Sequence, residues 1–111
     1  MNQKQLNNEL YNRMLEEQRG FIRDLMTTTP REILDKAYEY TIREDIVCVM
    51  ESIDLSAKQC EALLKLETPI ADVFKAFRDR ETDHMDIVRD TLECHANAIL
   101  RDEFKKALEA R

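Results

Sequence analysis

Residues 2–26 read NQKQLNNELYNRMLEEQRGFIRDLM, and this stretch decides the fold class. Its apolar side chains recur at intervals of three, four or seven residues, which places them on one face of an α-helix. They are Leu6, Leu10, Met14, Phe21, Ile22 and Leu25. Gly20, the one glycine of the chain, falls on the opposite, polar side, where it weakens the helix without leaving a hole in the core. The stretch therefore predicts a long amphipathic helix.

Three later points carry the residues that start helices. At each, a Ser or Thr able to accept a hydrogen bond from the first turn is followed by Pro or by a reciprocating Glu or Gln. The three points are Thr29-Pro30 with Glu32, Ser56 with Gln59, and Thr68-Pro69 with Asp72. We predict that the second and third of these open short helices over residues 57–66 and 69–78.

The apolar face changes between residues 30 and 53. Its early members share one face of a helix, and its late members lie nearly opposite. The early group is Ile33, Leu34, Ala37 and Tyr38, and the late group is Ile46, Val49, Met50 and Ile53. Either the helix breaks within residues 40–43, where Thr41 and Glu44 would cap a new one, or one long helix is buried on different sides along its length.

A last helix is expected from about Asp83 almost to the C-terminus. Its apolar face consists of Met85, Val88, Leu92, Ala96 and Ile99. One glycine and two prolines provide few of the turns that an all-β fold needs, and 111 residues suit one modest core. We therefore predict an all-α fold, a compact bundle of about five helices with capped short turns, as a single domain over residues 1–111.

Composition argues against several classes of protein. The formal net charge is −6, whereas general binding to nucleic acid requires concentrated Lys and Arg. No apolar run approaches a membrane span, and the N-terminus lacks the apolar core of a signal peptide. The three cysteines form no CxxC pair, which favours reduced, mostly buried thiols over disulfides or a zinc ribbon. We expect a cytoplasmic protein that binds neither nucleic acid nor membrane directly.

The strongest catalytic candidate is the pair Glu81 and His84, because Glu and His three residues apart ligate iron in four-helix di-iron proteins. Such a centre needs that pair twice, and the chain has it once. His95 lies about 16 Å further along a helix, too far to share an ion. Cys94 and His95 could suggest a thiolate nucleophile with its base, but adjacent side chains of a helix diverge by about 100° and do not face each other. A glycine-rich phosphate-binding loop needs more than the single glycine of this chain. We expect no enzymatic activity, no bound metal and no cofactor.

Acidic side chains form two ridges on the predicted helices. The C-terminal acidic ridge, opposite the apolar face of the last helix, consists of Asp83, Asp86, Asp90 and Glu93. The short acidic ridge consists of Glu32, Asp35 and Glu39. Neighbouring Cβ atoms in such a ridge lie about 5–6 Å apart, similar to successive backbone phosphates, so a ridge suits a basic groove meant for nucleic acid. The alternative is a solvated face that confers solubility.

Two long strings of the chain carry a family resemblance. AYEYTIREDIVCVMESIDLS (residues 37–56) and TPIADVFKAFRDRETDHMDIVRDTLECHANAIL (residues 68–100) resemble small proteins encoded on conjugative elements, plasmids and phages of Firmicutes. The resemblance runs from LYNRMLEEQ onward, and its most specific pieces are residues 38–45 and 81–85. It implies no catalytic residues. It implies a mobile-element context, in which small acidic helical proteins serve as counter-defence inhibitors, including anti-CRISPR proteins.

Two functional hypotheses follow. In the first, the protein is a non-enzymatic counter-defence or accessory protein whose acidic ridges bind a basic protein surface, such as the nucleic-acid channel of a CRISPR effector. In the second, it is a structural or regulatory helical module that forms a homodimer or docks through an apolar helix face. Ile46, Val49, Met50 and Ile53 are the candidates for that face if the core of the chain does not consume it.

Overall fold

All regular structure in the computed structural model, which describes residues 1–80 and 84–110, is helical. The helices are α1 (Gln3–Met26), α2 (Pro30–Asp35), α3 (Ala37–Ser52), α4 (Ala57–Leu64), α5 (Pro69–Arg80) and α6 (His84–Glu109). This confirms the all-α fold, with six helices in the described ranges in place of about five. The chain divides into two units, Met1–Arg78 and Asp79–Arg111.

Capping boxes open α1 and α4. The Asn2 side chain accepts the backbone N–H of Gln5 at 2.9 Å, and the Gln5 side chain accepts that of Asn2 at 3.0 Å. Ser56 and Gln59 make the same exchange at 3.2 and 2.9 Å, as the sequence predicts. Each box satisfies two backbone donors that a helix start otherwise leaves without partners.

The start of α2 is a variant of the predicted cap. Thr29 precedes Pro30 and accepts the Glu32 backbone N–H on its hydroxyl at 3.3 Å, as expected. The Glu32 carboxylate, however, accepts a hydrogen bond from the Thr28 hydroxyl instead of returning to Thr29. The cap is therefore shared between two threonines.

Both interpretations of residues 30–53 are wrong in detail, because the helix breaks at Lys36. Lys36 has φ −102° and ψ 6°, outside α-helical geometry, and α3 begins directly after it without a side-chain cap. Thr41 lies inside α3, where its hydroxyl donates to the Ala37 carbonyl at 3.1 Å. The early apolar group is exposed, although Tyr38 makes an edge-to-face contact with Phe74 at 6.2 Å.

The core of the first unit forms where α1 packs against α3 and α4. Its buried members come from four helices: Leu6, Leu10, Met14, Met50, Cys60 and Ile70. The first three are the predicted face of α1. An added Cβ at Gly20 would meet nothing within 4 Å, which agrees with the prediction that this glycine lies away from the core.

The second unit has one described helix, α6, and none of its residues is buried. The predicted apolar face is therefore exposed, including Met85, Val88, Leu92 and Ile99. Among the described helices, none combines the length and hydropathy required to cross a membrane.

The prediction of mostly buried thiols holds for one cysteine of three. Cys60 is buried in the core, whereas Cys48 and Cys94 are exposed. Cys48 lies two residues before the buried Met50, and two positions in a helix are about 200° apart, so the two side chains point to opposite sides. Burial raises the pKa of the Cys60 thiol above its ordinary value, and nearby Asp54 and Glu61 raise it further.

Candidate functional site

The first unit contains an apolar groove of about 300 Å³. Helix α3 forms one wall, and residues from α1, α4, α5 and the segment before α4 complete it. The lining consists of Met14, Ile42, Asp45, Ile46, Val49, Met50, Ile53, Leu55, Leu63, Val73 and Phe77.

The late apolar group of the sequence forms the α3 wall of this groove. Met50 is buried, but Val49 keeps 56% and Ile53 keeps 43% of its surface exposed. Phe77 on the opposite wall keeps 41% exposed. Large apolar side chains that line a groove and stay exposed to solvent are typical of sites that another molecule covers. Only part of this apolar face is therefore buried in the core.

Among the described residues that line the groove, Asp45 is the one that carries a charge. It is exposed, and it makes no ion pair with any residue in the part of the chain that the structure describes. It lies four residues before Val49, so the two side chains are neighbours on the same side of α3. The groove thus combines apolar walls with one free carboxylate.

A carboxylate on α1 holds the far wall in place. Glu17 accepts the backbone N–H groups of Ile70 and Ala71, in the first turn of α5, at 2.9 and 3.0 Å. Negative charge is stabilised at a helix N-terminus, where these donors have no partner within the helix. Glu17 therefore serves as the cap of α5 from a distant part of the chain.

The same carboxylate binds the near wall through a buried arginine. The Arg43 guanidinium lies 3.5 Å from Glu17 and donates to Glu39 at 3.0 Å. It also lies over the ring of Phe21, with 4.1 Å to the centroid, a cation–π contact. Nearby, the Gln18 amide donates to Glu44 at 2.9 Å. Polar contacts as well as apolar packing therefore attach α3 to α1.

Two further side chains of α1 hold the segments at either end of α4. Arg13 donates to the carbonyls of Leu64 and Leu66 at 2.6 and 2.7 Å, which satisfies acceptors at the C-terminal end of that helix. The Asn7 amide pairs with the backbone N–H and carbonyl of Leu55 at 3.1 and 2.8 Å. Because Leu55 lines the groove, Asn7 fixes one part of the groove lining directly. Side chains of α1 therefore hold the elements that form the groove at several points.

The short acidic ridge is divided between two helices, because the break at Lys36 separates Glu39 from the other two members. Asp35 pairs with Arg31 at 3.5 Å, and Glu39 pairs with the buried Arg43. Glu32 accepts from the hydroxyl of Thr28. Each member of this ridge therefore has a partner within the chain.

The C-terminal acidic ridge lies on α6, apart from Asp83, which is outside the described residues. Asp86, Asp90 and Glu93 are all exposed. Asp86 pairs with Arg89 at 3.4 Å, an exposed contact within one helix. Asp90 and Glu93 make no ion pair within residues 1–80 and 84–110, so they present uncompensated charge to solvent.

The candidate Glu81 and His84 pair has one member, Glu81, outside the described residues. Within residues 1–80 and 84–110, no three His, Cys, Asp or Glu side chains are grouped closely enough to hold a metal ion. His95 is exposed on α6.

Sequence reasoning missed the polar residues that build the groove. Arg43 had a signal, since it lies three and seven residues before Ile46 and Met50 and therefore shares their face of α3. A charged residue in that position predicts a buried partner. Glu17 had the same signal, because it lies three residues after Met14 and four before Phe21, on the predicted apolar face of α1. Arg13 lies at the edge of that face, where its partners could not be predicted.

Comparison with known proteins identifies a family to which the chain is similar over most of its length. The model of the family described as "Protein of unknown function (DUF3848)" matches residues 6–100. No curated protein matches the chain, and no solved structure matches it.

Proposed function

The chain belongs to this family of unknown function, and we propose that it serves as a helical interaction module whose apolar groove receives an amphipathic helix. The observation that carries this proposal is the exposure of Val49, Ile53 and Phe77 around one groove. This proposal develops the second hypothesis from the sequence, docking through an apolar helix face. The docking surface is now a groove that includes residues from several helices.

The chemistry of the groove favours a helix as its occupant. Its walls offer almost no hydrogen-bond partners, so an extended peptide, which must satisfy its own backbone groups, would lose hydrogen bonds on entering. A helix satisfies those groups internally and presents apolar side chains at intervals of three, four and seven residues. The volume of about 300 Å³ is at the lower end for ligand pockets, which suits a few anchoring side chains.

A fluorescent amphipathic peptide tests the proposal. The peptide carries Leu at positions i, i+4 and i+7 on a background of Ala and Lys, and anisotropy reports its binding. We expect Val49→Asp to weaken binding about tenfold or more, as loss of a buried apolar contact does at a hot spot. The control is Cys48→Asp, which adds the same charge to the next exposed residue of α3, outside the groove.

Two results would reject the groove as the site. One is absence of binding to the unmodified protein at concentrations where it is monomeric, and the other is equal weakening by Val49→Asp and Cys48→Asp. Circular dichroism should show the same helical content for both variants, because both positions are exposed.

A second candidate function is inhibition of a partner with a basic, nucleic-acid-binding surface, such as a CRISPR effector in a mobile-element counter-defence system. The exposed charges of Asp90 and Glu93 favour it, since they make no ion pair with the described residues. Such charge raises the rate of association with a basic partner and loses its effect as salt rises. Both candidate functions are compatible with a cytoplasmic location.

A nuclease cleavage assay tests this second candidate. Asp86→Asn, Asp90→Asn and Glu93→Gln together should abolish inhibition of a sensitive effector. Neutralising the exposed Glu9, Glu61 and Glu67 changes the net charge equally and should leave inhibition intact. Equal loss in both triple variants would attribute the effect to net charge alone, and no inhibition by the unmodified protein would exclude the effectors tested.

A further inference from the structure

We infer that the occupant of the groove is the C-terminal half of α6 from a second copy of this chain. The inference rests on the proposed function of the groove and adds the identity of its partner. The resulting assembly is a dimer in which each copy supplies a groove and a helix.

The C-terminal half of α6 has the apolar pattern that such a groove accepts. Leu100, Phe104 and Leu108 follow one another at intervals of four residues, which places them along one side of the helix. All three are exposed, and Phe104 keeps 68% of its surface open. The unit Asp79–Arg111 contains no other described helix that could cover them.

One edge of the apolar stripe of α6 is complementary in charge to the groove. Arg101 and Lys105 each follow an apolar anchor by one residue, so they run beside the apolar stripe of α6. Neither makes an ion pair with a residue in the described ranges, and the same is true of Asp45 at the groove. A helix seated with its basic edge toward Asp45 would pair charges that are otherwise unpaired.

The energetics of α6 also favour a partner. Most helix stability in proteins comes from packing an amphipathic face, and a helix that buries no residue lacks that contribution. If each copy places its α6 in the groove of the other, two-fold symmetry forms the same contact twice. The interface of the dimer then contains two occupied grooves, although each groove is small.

Reciprocal mixing of two variants tests the inference. Val49→Asp damages the groove and leaves α6 intact, whereas Phe104→Asp damages α6 and leaves the groove intact. In light scattering across a dilution series, we expect the unmodified chain to be a dimer and each variant alone to be a monomer. An equimolar mixture should form a heterodimer through its one intact groove and one intact helix, with affinity reduced at least about tenfold because one site of two remains.

Two controls separate the interface from the added charge. Cys48→Asp changes α3 outside the groove. His95→Asp changes the side of α6 opposite Phe104, since nine residues are two and a half helical turns and place the two side chains about 180° apart. Both should stay dimeric. In addition, Asp45→Lys should weaken the dimer, and Arg101→Asp with Lys105→Asp in the same chain should restore it.

Three results would overturn the inference. These are a monomeric unmodified chain, a dimer that survives both Val49→Asp and Phe104→Asp, and a mixture that stays monomeric. The anisotropy test, repeated on the Phe104→Asp chain, distinguishes this failure from failure of the proposed function. If the Phe104→Asp chain binds the peptide but the unmodified chain does not dimerise, the groove still receives a helix and only the second copy is rejected as its occupant. If the peptide does not bind and the unmodified chain does not dimerise, both the groove function and the dimer are rejected.

Discussion

Helices α1 and α6 are nearly equal in length, with 24 and 26 residues, but they differ completely in burial. Helix α1 buries Leu6, Leu10, Met14 and Gln18, and its polar side chains bind three other parts of the chain. Helix α6 buries no residue, and its pairs Asp86 with Arg89 and Asp102 with Lys106 lie within the helix. An amphipathic pattern therefore shows that a helix has a face to bury, and only the tertiary contacts show where it is buried.

The largest expected difference between the two helices is in amide hydrogen exchange. Core amides of α1 should exchange only through global unfolding, whereas those of α6 should open locally in dilute solution. We expect protection in α1 to exceed that in α6 by about a thousandfold or more, since local opening costs far less than a global stability of about 5–15 kcal/mol. Mass spectrometry of exchanged peptides measures this.

Concentration sharpens that test. If α6 is covered by a second copy, its protection should rise with protein concentration while that of α1 stays constant. Equal, concentration-independent protection in both helices would contradict the difference between them.

Truncation of one leucine in each helix should give the next largest difference. Leu10 is completely buried, so Leu10→Ala should lower the free energy of unfolding by about 2–5 kcal/mol through lost burial and a cavity. Leu100 is exposed, and Leu100→Ala should change it by less than about 0.5 kcal/mol in dilute solution. Urea unfolding measures both. Similar losses would mean that α6 shares a core.

Glu17→Ala tests the polar contacts of α1. It removes the cap of α5 and leaves Arg43 with one carboxylate partner, so we expect a loss of about 2 kcal/mol. The matched control is Asp35→Ala, which breaks an exposed ion pair with Arg31 and should cost less than about 1 kcal/mol. Thermal unfolding at low and high salt compares them. A salt-sensitive loss at Glu17 equal to that at Asp35 would reject its capping role.

The smallest expected effect concerns the buried thiol in the first unit. Because folding raises the pKa of Cys60, its contribution to stability is present below pH 9.0, its ordinary pKa, and is lost as the pH rises through the folded value. Unfolding measured from neutral to alkaline pH should show this decline. It should be absent in Cys60→Ala, while Cys94→Ala in α6 should retain it.

Helix starts were predictable from the sequence because the information is local. The cap of α4 needs only Ser56 and Gln59, whose side chains reach each other's backbone within one turn. The break at Lys36 was not predictable on these grounds, since neither Lys36 nor its neighbours supplies a side-chain cap for α3. The contacts that attach α3 to α1 beyond the break, such as those of Arg43 with Glu17 and Phe21, join residues distant in sequence.

The groove was predictable on one side only. The spacing of Ile46, Val49 and Ile53 indicates a shared apolar face, which the structure confirms as one wall. The opposite wall, with Val73 and Phe77, comes from residues twenty or more positions away. No periodicity within one helix encodes which other helix it will face, so the cavity between them emerges only in three dimensions.

Glu17 touches the starting turn of α5 and, through Arg43, the middle of α3, yet it does not line the groove between them. One side chain outside the groove thereby fixes the distance between its two walls, α3 and α5. Residues that never meet the occupant would then alter its affinity, and selection for tighter or looser binding would recover changes near Glu17 as readily as changes in the lining. In evolutionary terms, substitutions at this carboxylate can adjust the affinity of the groove without changing any residue that lines it.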